Sequence, residues 1–264
     1  MIQGRRGGWK PRTTSLYESI AAAHTKRWGS RPARELTRQD FEDYKLARKA
    51  APKTVNHELG VLNSALAYAV EVKMLAAEDA PRFGKWRMKE KKVVPGYLRR
   101  EQFERLIEAE QRLRTAFFLG RYAGLREEEI RTLRWAHVDL GQALITVLDS
   151  KSGDRMVDIS RVLLEELVRA RRTTREYVLE VRPGEPWSKS GLDHAASRAF
   201  RRAKVPSHGG HTLHLLRSTF ATSFPGTLRD LMASLGHSSP GPSMRYLAVK
   251  PESRRRAIEG ASEW

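Results

Sequence analysis

The sequence predicts a mainly α-helical protein with one small antiparallel β-sheet, arranged in two domains, and three observations predict it. Apolar residues recur at helical spacing over most of the chain, a single β-branched run followed by turn residues interrupts them, and a charged stretch bracketed by proline and glycine separates a shorter first part from a longer second part. With 264 residues, 40% of them hydrophobic, two modest cores can form.

Residues 1–12 (MIQGRRGGWKPR) are glycine-rich and basic, hold little that could pack, and are expected to be a mobile basic arm. Residues 13–80 are expected to form a small helical bundle. Thr14 or Ser15 can cap a helix carrying Leu16, Ile20 and Ala23, and Thr37 one that begins at Arg38 with Phe41, Tyr44 and Leu46. The clearest helix has Val55, Leu59, Leu62, Leu66 and Val70 on one face, with Thr54 as its cap. In residues 81–96 the apolar period is lost between Pro81, Gly84, Pro95 and Gly96, which reads as a linker.

Residues 97–264 form the second expected domain. Phe103, Leu106, Ile107, Leu113 and Phe117 predict one helix ending near Gly120. Gly124-Leu125-Arg126 then opens another, in which Arg126 and Glu129 share a face, so the carboxylate can orient the guanidinium. Ala143–Leu148 and Met156–Ile159 flank the turn sequence DSKSGDR, which contains Lys151, and predict a hairpin. Ser160 can cap a helix bearing Leu163, Leu164 and Leu167. The polar stretch to Lys189 reads as a loop, and a short helix follows over Asp193–Ala203. After Tyr246, the segment PESRRRAIEG reads as a last, highly charged helix.

Charge narrows the function. Forty-nine Lys and Arg against 31 Asp and Glu give a formal charge of +18 and an isoelectric point near 10.5. Such an excess favours a polyanion, because each cation set against a phosphate releases a condensed counterion. No apolar run is long enough to span a bilayer and no secretory signal opens the chain, so nucleic acid is preferred to a membrane surface, and the cytoplasm or nucleoid is the expected location. The absence of cysteine excludes disulfides, thiolate nucleophiles and cysteine-ligated zinc. His208, His211 and His214 stand at three-residue steps but lack an H-E-x-x-H pattern or a nearby carboxylate, so neither a metal nor a cofactor is expected.

The stretch from His211 to Tyr246 holds the chemistry: His214 and Arg217 three apart, then Leu235-Gly236-His237, then Tyr246 nine residues beyond that histidine. By themselves these residues have plainer explanations. Arg126 with Glu129 can be a surface ion pair, Lys151 a solvated turn charge, and Tyr246 an aromatic anchor of a helix. Their order changes the reading. H-x-x-R, L-G-H and the tyrosine at that offset, preceded by G-L-R-x-x-E-I and R-W-x-x-V-D-L, resemble the motifs of the tyrosine recombinases, or phage integrases.

That resemblance implies a tyrosine recombinase-like architecture, in which a helical core-binding domain and a catalytic domain clamp duplex DNA. It implies four protomers on two DNA sites, a C-terminal helix docked on a neighbouring protomer, and accessory DNA-bending or directionality factors. It further implies Tyr246 as the nucleophile that forms a 3′-phosphotyrosyl bond, and Arg126 and Arg217 as a phosphate clamp supported by Glu129. His214 then serves as general base, His237 as a donor to a phosphate oxygen, and Lys151 as general acid. A planar, permanently charged guanidinium suits phosphate oxygens, so no metal or ATP is needed. A DNA-binding protein of the same fold that has lost strand exchange, and a type IB topoisomerase-like enzyme, stay open as alternatives. Three departures bear on activity rather than fold: Ser218 follows Arg217 where a histidine is usual, the interval from Arg217 to His237 is about three residues short, and Pro240-Gly241-Pro242 is expected to stiffen and break the segment before Tyr246.

Overall fold

The computed structural model describes residues 9, 11–91, 95–148, 153–172, 175–207 and 212–247. Lys151, His208, His211 and the expected C-terminal helix over PESRRRAIEG lie outside them. The chain divides into two compact units, Met1–Lys92 and Val93–Trp264. No helix among the described residues is long and apolar enough to cross a membrane.

The first unit holds helices α1 (Pro11–Trp28), α2 (Arg38–Ala47) and α3 (Pro52–Glu71). Two of the three expected starts are displaced. α1 begins at Pro11 and α3 at Pro52, with proline in a first turn whose N–H groups have no helical acceptor anyway, so Thr14, Ser15 and Thr54 are interior. Thr37 does cap α2: the Asp40 carboxylate accepts the Thr37 N–H at 2.7 Å, and Thr37 Oγ1 accepts the Asp40 N–H at 3.4 Å. Arg31 holds that carboxylate at both oxygens, and this contact is the main reason the Asp40 pKa falls to about 2.

The core of this unit contains Trp28, Phe41, Tyr44, Val55, Leu59 and Phe83, with the Phe41 and Phe83 rings stacked 3.7 Å apart. Part of the stretch that composition assigned to a linker therefore packs. Phe83 is buried, Trp86 and Met88 lie against the same core, and Lys85, Arg87 and Lys89 point outward. Asn56 of α3 fixes this extended segment by pairing its amide with both polar groups of Met88, donating to the carbonyl at 2.9 Å and accepting from the N–H at 2.7 Å. A helical apolar period cannot display such a segment, because its inward positions alternate along extended chain.

In the second unit, α4 (Arg100–Ala109) and α5 (Arg114–Tyr122) replace the single expected helix. The chain leaves the helical region at Glu110 (φ −153°) and makes one tight turn over Gln111–Leu113. α5 is the buried axis, with Ala116 to Gly120 all inaccessible. It packs against α7 (Arg161–Ala170) and α9 (Thr212–Ser223), and Gly120 permits the second contact, since a Cβ there would stand 2.9 Å from Leu216 Cβ.

α6 (Glu127–Thr132) is followed by a three-stranded antiparallel sheet of order β1 (Val138–Asp139), β2 (Leu144–Val147), β3 (Arg155–Asp158). The expected hairpin forms, with Ile145 opposite Val157 and Val147 opposite Arg155, and R-W-x-x-V-D-L supplies an additional strand. Ile145, Val147 and Val157 alternate into the core. The expected loop before Lys189 contains a small hairpin, β4 (Glu180–Arg182) with β5 (Glu185–Pro186), turning at Gly184 (φ +73°). α8 (Lys189–Arg202) starts ahead of Asp193 because Ser188 caps it, accepting the Gly191 N–H at 3.1 Å. α10 (Leu228–Leu235) and α11 (Pro240–Leu247) complete the described chain.

Candidate active site

The start of α6 builds the first half of the site. The Arg126 N–H donates to Glu129 Oε2 and its Nη1 to Glu129 Oε1, both at 2.8 Å, so one carboxylate caps the helix and turns the guanidinium. Arg155 of β3 approaches the same carboxylate with its fork, at 2.9 and 2.8 Å, while its Nε donates to the Ser234 carbonyl of α10 at 3.2 Å. The Glu129–Arg155 pair thus joins α6, the hairpin and α10. Burial alone would raise its pKa; the Arg155 fork and the Arg126 N–H and guanidinium outweigh burial and hold it at about 2.

Arg217, on α9, builds the second half and is only 2% exposed. Its Nη1 donates to the Gly124 carbonyl, and its Nη2 to the Leu235 carbonyl at 2.7 Å and to His237 Nε2 at 3.2 Å. Glycine at 124 is required twice, since φ is +61° and a Cβ would lie 2.5 Å from Phe220 Cδ1. Gly236 ends α10 in the left-handed conformation (φ 62°), with the His237 N–H returning to the Met232 carbonyl at 2.9 Å. This turn brings the Gly236 carbonyl to Arg126 Nη2 at 3.3 Å and the His237 ring to Arg217.

α11 closes the arrangement and corrects one expectation. Pro240, Gly241 and Pro242 do not break the segment before Tyr246; they are the first turn of the helix that carries it, where missing N–H donors are tolerated. Ser243, wholly buried, lies 2.6 Å from His237 Nδ1. Tyr246 follows one turn later, 7% exposed, in an apolar cluster with Ala221, Leu231 and Leu235.

Two guanidiniums, of Arg126 and Arg155, thus hold one carboxylate, and Arg217 beside His237 adds a third cation, leaving an excess of positive charge. Burial first, and then repulsion by Arg126 and Arg155, lower the Arg217 pKa to about 10. Burial and then the charge of Arg217, followed by Arg126, Arg155 and Arg245, push His237 down to about 4, so its imidazole is neutral at pH 7. Such an excess of charge suits an anion, which the partly exposed Arg126 can meet directly. Because the Glu129 pKa is depressed on folding, its stabilisation is complete above its unfolded value near 4.5 and disappears as pH falls toward 2. Urea unfolding across that window is expected to show a falling midpoint, with a shallower fall in Glu129→Gln, which is also less stable at pH 7; equal slopes in the two proteins would refute this account.

The model of the phage integrase family matches residues 96–253, more than half of the chain. The chain belongs to the phage integrase family. The tyrosine recombinase XerA of Thermococcus kodakarensis is 32% identical over 182 residues, a match covering 64% of this chain and 63% of that protein. The chain therefore spans less than two thirds of the length of this relative and of the tyrosine recombinase XerA of Thermococcus onnurineus. Among solved structures, the Tn1549 transposon integrase in complex with transposon right end DNA superposes with a TM-score of 0.80 at 18% identity, covering 98% of this chain and 96% of that one. A lambda integrase dimer bound to a COC′ core site gives 0.75 at 18% identity, covering 93% and 91%. These structural likenesses establish the mainly helical fold with its small sheets.

Within the integrase fold, the Arg126–Glu129 pair and the Arg217–His237 pair meet at the turn Leu235-Gly236-His237, whose Gly236 carbonyl accepts from Arg126 and whose Leu235 carbonyl accepts from Arg217, and the Tyr246 helix is attached through Ser243. His214 is on the same helix as Arg217 but exposed, one turn before it. The sequence reading missed Arg155 and Ser243. Arg155 had a weak signal, a cation at the strand start where a hairpin already held Lys151. Ser243 had its place three residues before Tyr246 on a helix whose proline start concealed it.

Proposed function

We propose that the chain is a site-specific DNA recombinase or integrase that cleaves and rejoins strands through a 3′-phosphotyrosyl intermediate, without metal or ATP. The observation that carries this reading is that Arg126, Arg217 and His237 converge on one turn, Leu235-Gly236-His237, with the tyrosine helix bonded to its histidine. On this reading Arg126, the more accessible guanidinium, receives a non-bridging oxygen of the scissile phosphate, and buried Arg217 supports the charge from beneath. His237 donates to a phosphate oxygen. Tyr246 Oη forms the bond to phosphorus while the bond to the 5′-oxygen breaks; His214 takes the phenolic proton and Lys151 supplies one to the departing 5′-hydroxyl. The phosphotyrosyl link conserves the energy of the broken ester, so a second 5′-hydroxyl can reverse the step.

The helical first unit is then the core-binding domain and the second unit the catalytic domain. The partner is double-stranded DNA, engaged by a homotetramer across two sites at the nucleoid. The burial of Tyr246 favours one further reading, a DNA-binding protein whose tyrosine is never delivered. A covalent trap tests both: the protein is incubated in chelator with fragments of DNA flanking its own gene, denatured in detergent, and protein-linked fragments are recovered. Adducts joined through a 3′-phosphate at a discrete locus are expected. Binding of the same fragments without any adduct would select the second reading.

A further inference from the structure

The His237 ring has a partner at each nitrogen. A guanidinium only donates, so His237 Nε2 accepts from Arg217 Nη2, and the neutral ring carries its proton on Nδ1. That proton is donated to Ser243 Oγ at 2.6 Å. Ser243 is 0% exposed, so solvent does not compete for this contact. A donor role toward phosphate needs the opposite arrangement at Nε2, which must release Arg217 and carry a proton. Nδ1 then either keeps its proton, in the imidazolium, or loses it, in the other neutral tautomer. A hydroxyl can meet both states, accepting in the first and donating in the second.

We propose that Ser243 is a positioning residue that holds His237 by Nδ1 while Nε2 changes from acceptor of Arg217 to donor to the scissile phosphate. The inference rests on the reading of His237 as that donor. The same bond ties α11 to the clamp, so the ring that contacts phosphate and the helix that carries Tyr246 are set by one hydroxyl. The low proton affinity of His237 without an anion agrees with this, because the ring is neutral until a phosphate charge enters.

The test compares Ser243→Ala, Ser243→Thr and Ser243→Val in the full chain, Thr and Val being nearly the same shape so that only the hydroxyl differs. Adduct formation under saturating DNA is followed against pH, alongside the Kd for DNA and the 15N spectrum of the His237 ring in the free protein. Ser243→Ala is expected to slow cleavage about tenfold, the fold-change that one hydrogen bond of ordinary net worth controls, with Kd within about twofold. Thr should restore the rate and its pH profile and Val should not, while the ring proton, kept on Nδ1 by Arg217 at Nε2, stays there in every variant and the Nδ1 resonance shifts in Ala, where its acceptor is gone. Cleavage by Ser243→Ala at the wild-type rate, or Thr performing no better than Val, would overturn the proposal. If the wild type forms no adduct, the tyrosine reading fails separately, and the ring spectrum decides: an Nδ1 resonance unchanged in Ser243→Ala overturns the contact.

Discussion

Tyr246→Phe is expected to abolish protein-linked DNA while leaving DNA affinity and folding almost untouched. The ring packs with Ala221, Leu231 and Leu235, and phenylalanine keeps every one of those apolar contacts. Loss of one hydroxyl from such a cluster costs about 1 kcal/mol or less. The covalent step, by contrast, loses its nucleophile, because the other hydroxyl of the same helix, Ser243 Oγ, is buried against His237. The measurement is a detergent-resistant adduct assay beside a gel shift and thermal unfolding of the same preparations. Adducts that persist in the Phe variant would remove Tyr246 from the mechanism, whereas a large loss of thermal stability would show that the hydroxyl serves the fold.

Arg217→Ala is expected to damage stability and chemistry together. Its guanidinium satisfies the Gly124 and Leu235 carbonyls and the His237 ring from a site that is 2% exposed. Truncation leaves those acceptors unpaired and opens a cavity, a cost on the order of 3–5 kcal/mol, relieved in part by less repulsion of Arg126 and Arg155. Removing one charge-stabilising donor lowers a chemical step by about 100- to 1000-fold. Arg217→Lys separates the two effects, since the ammonium keeps the charge but cannot span two carbonyls and a ring nitrogen with a planar fork. Urea denaturation and single-turnover cleavage at saturating DNA should place Lys between wild type and Ala in stability, yet close to Ala in rate. A Lys variant that cleaves as the wild type does would mean that charge alone, without the fork, supplies the clamp.

The local signals were legible where a residue acts on its own neighbours. Thr37 announces a cap, and the β-branched run and turn residues around 143–159 announce a hairpin. The failures share a cause. Pro240-Gly241-Pro242 has the composition of a break but the position of a helix start, which depends on where the next turn packs. Phe83, Trp86 and Met88 look like linker residues until α3 gives them a surface.

The site divides along the same line. The sequence by itself determined the helical fold class with its small sheet and the family, and it named Arg126, Glu129, Arg217, His237 and Tyr246 in order as candidates, because motif spacing and apolar period are properties of a short stretch of chain. Only the tertiary structure decided that Arg155 shares Glu129 with Arg126 from 26 residues away, that Arg126 reaches the Gly236 carbonyl across 110, that Arg217 is the buried cation, and that Ser243 holds the imidazole. Those facts depend on which donors meet which acceptors after α6, α9, α10, α11 and the hairpin converge, and a hydrogen bond between distant segments leaves no periodic trace in either of them.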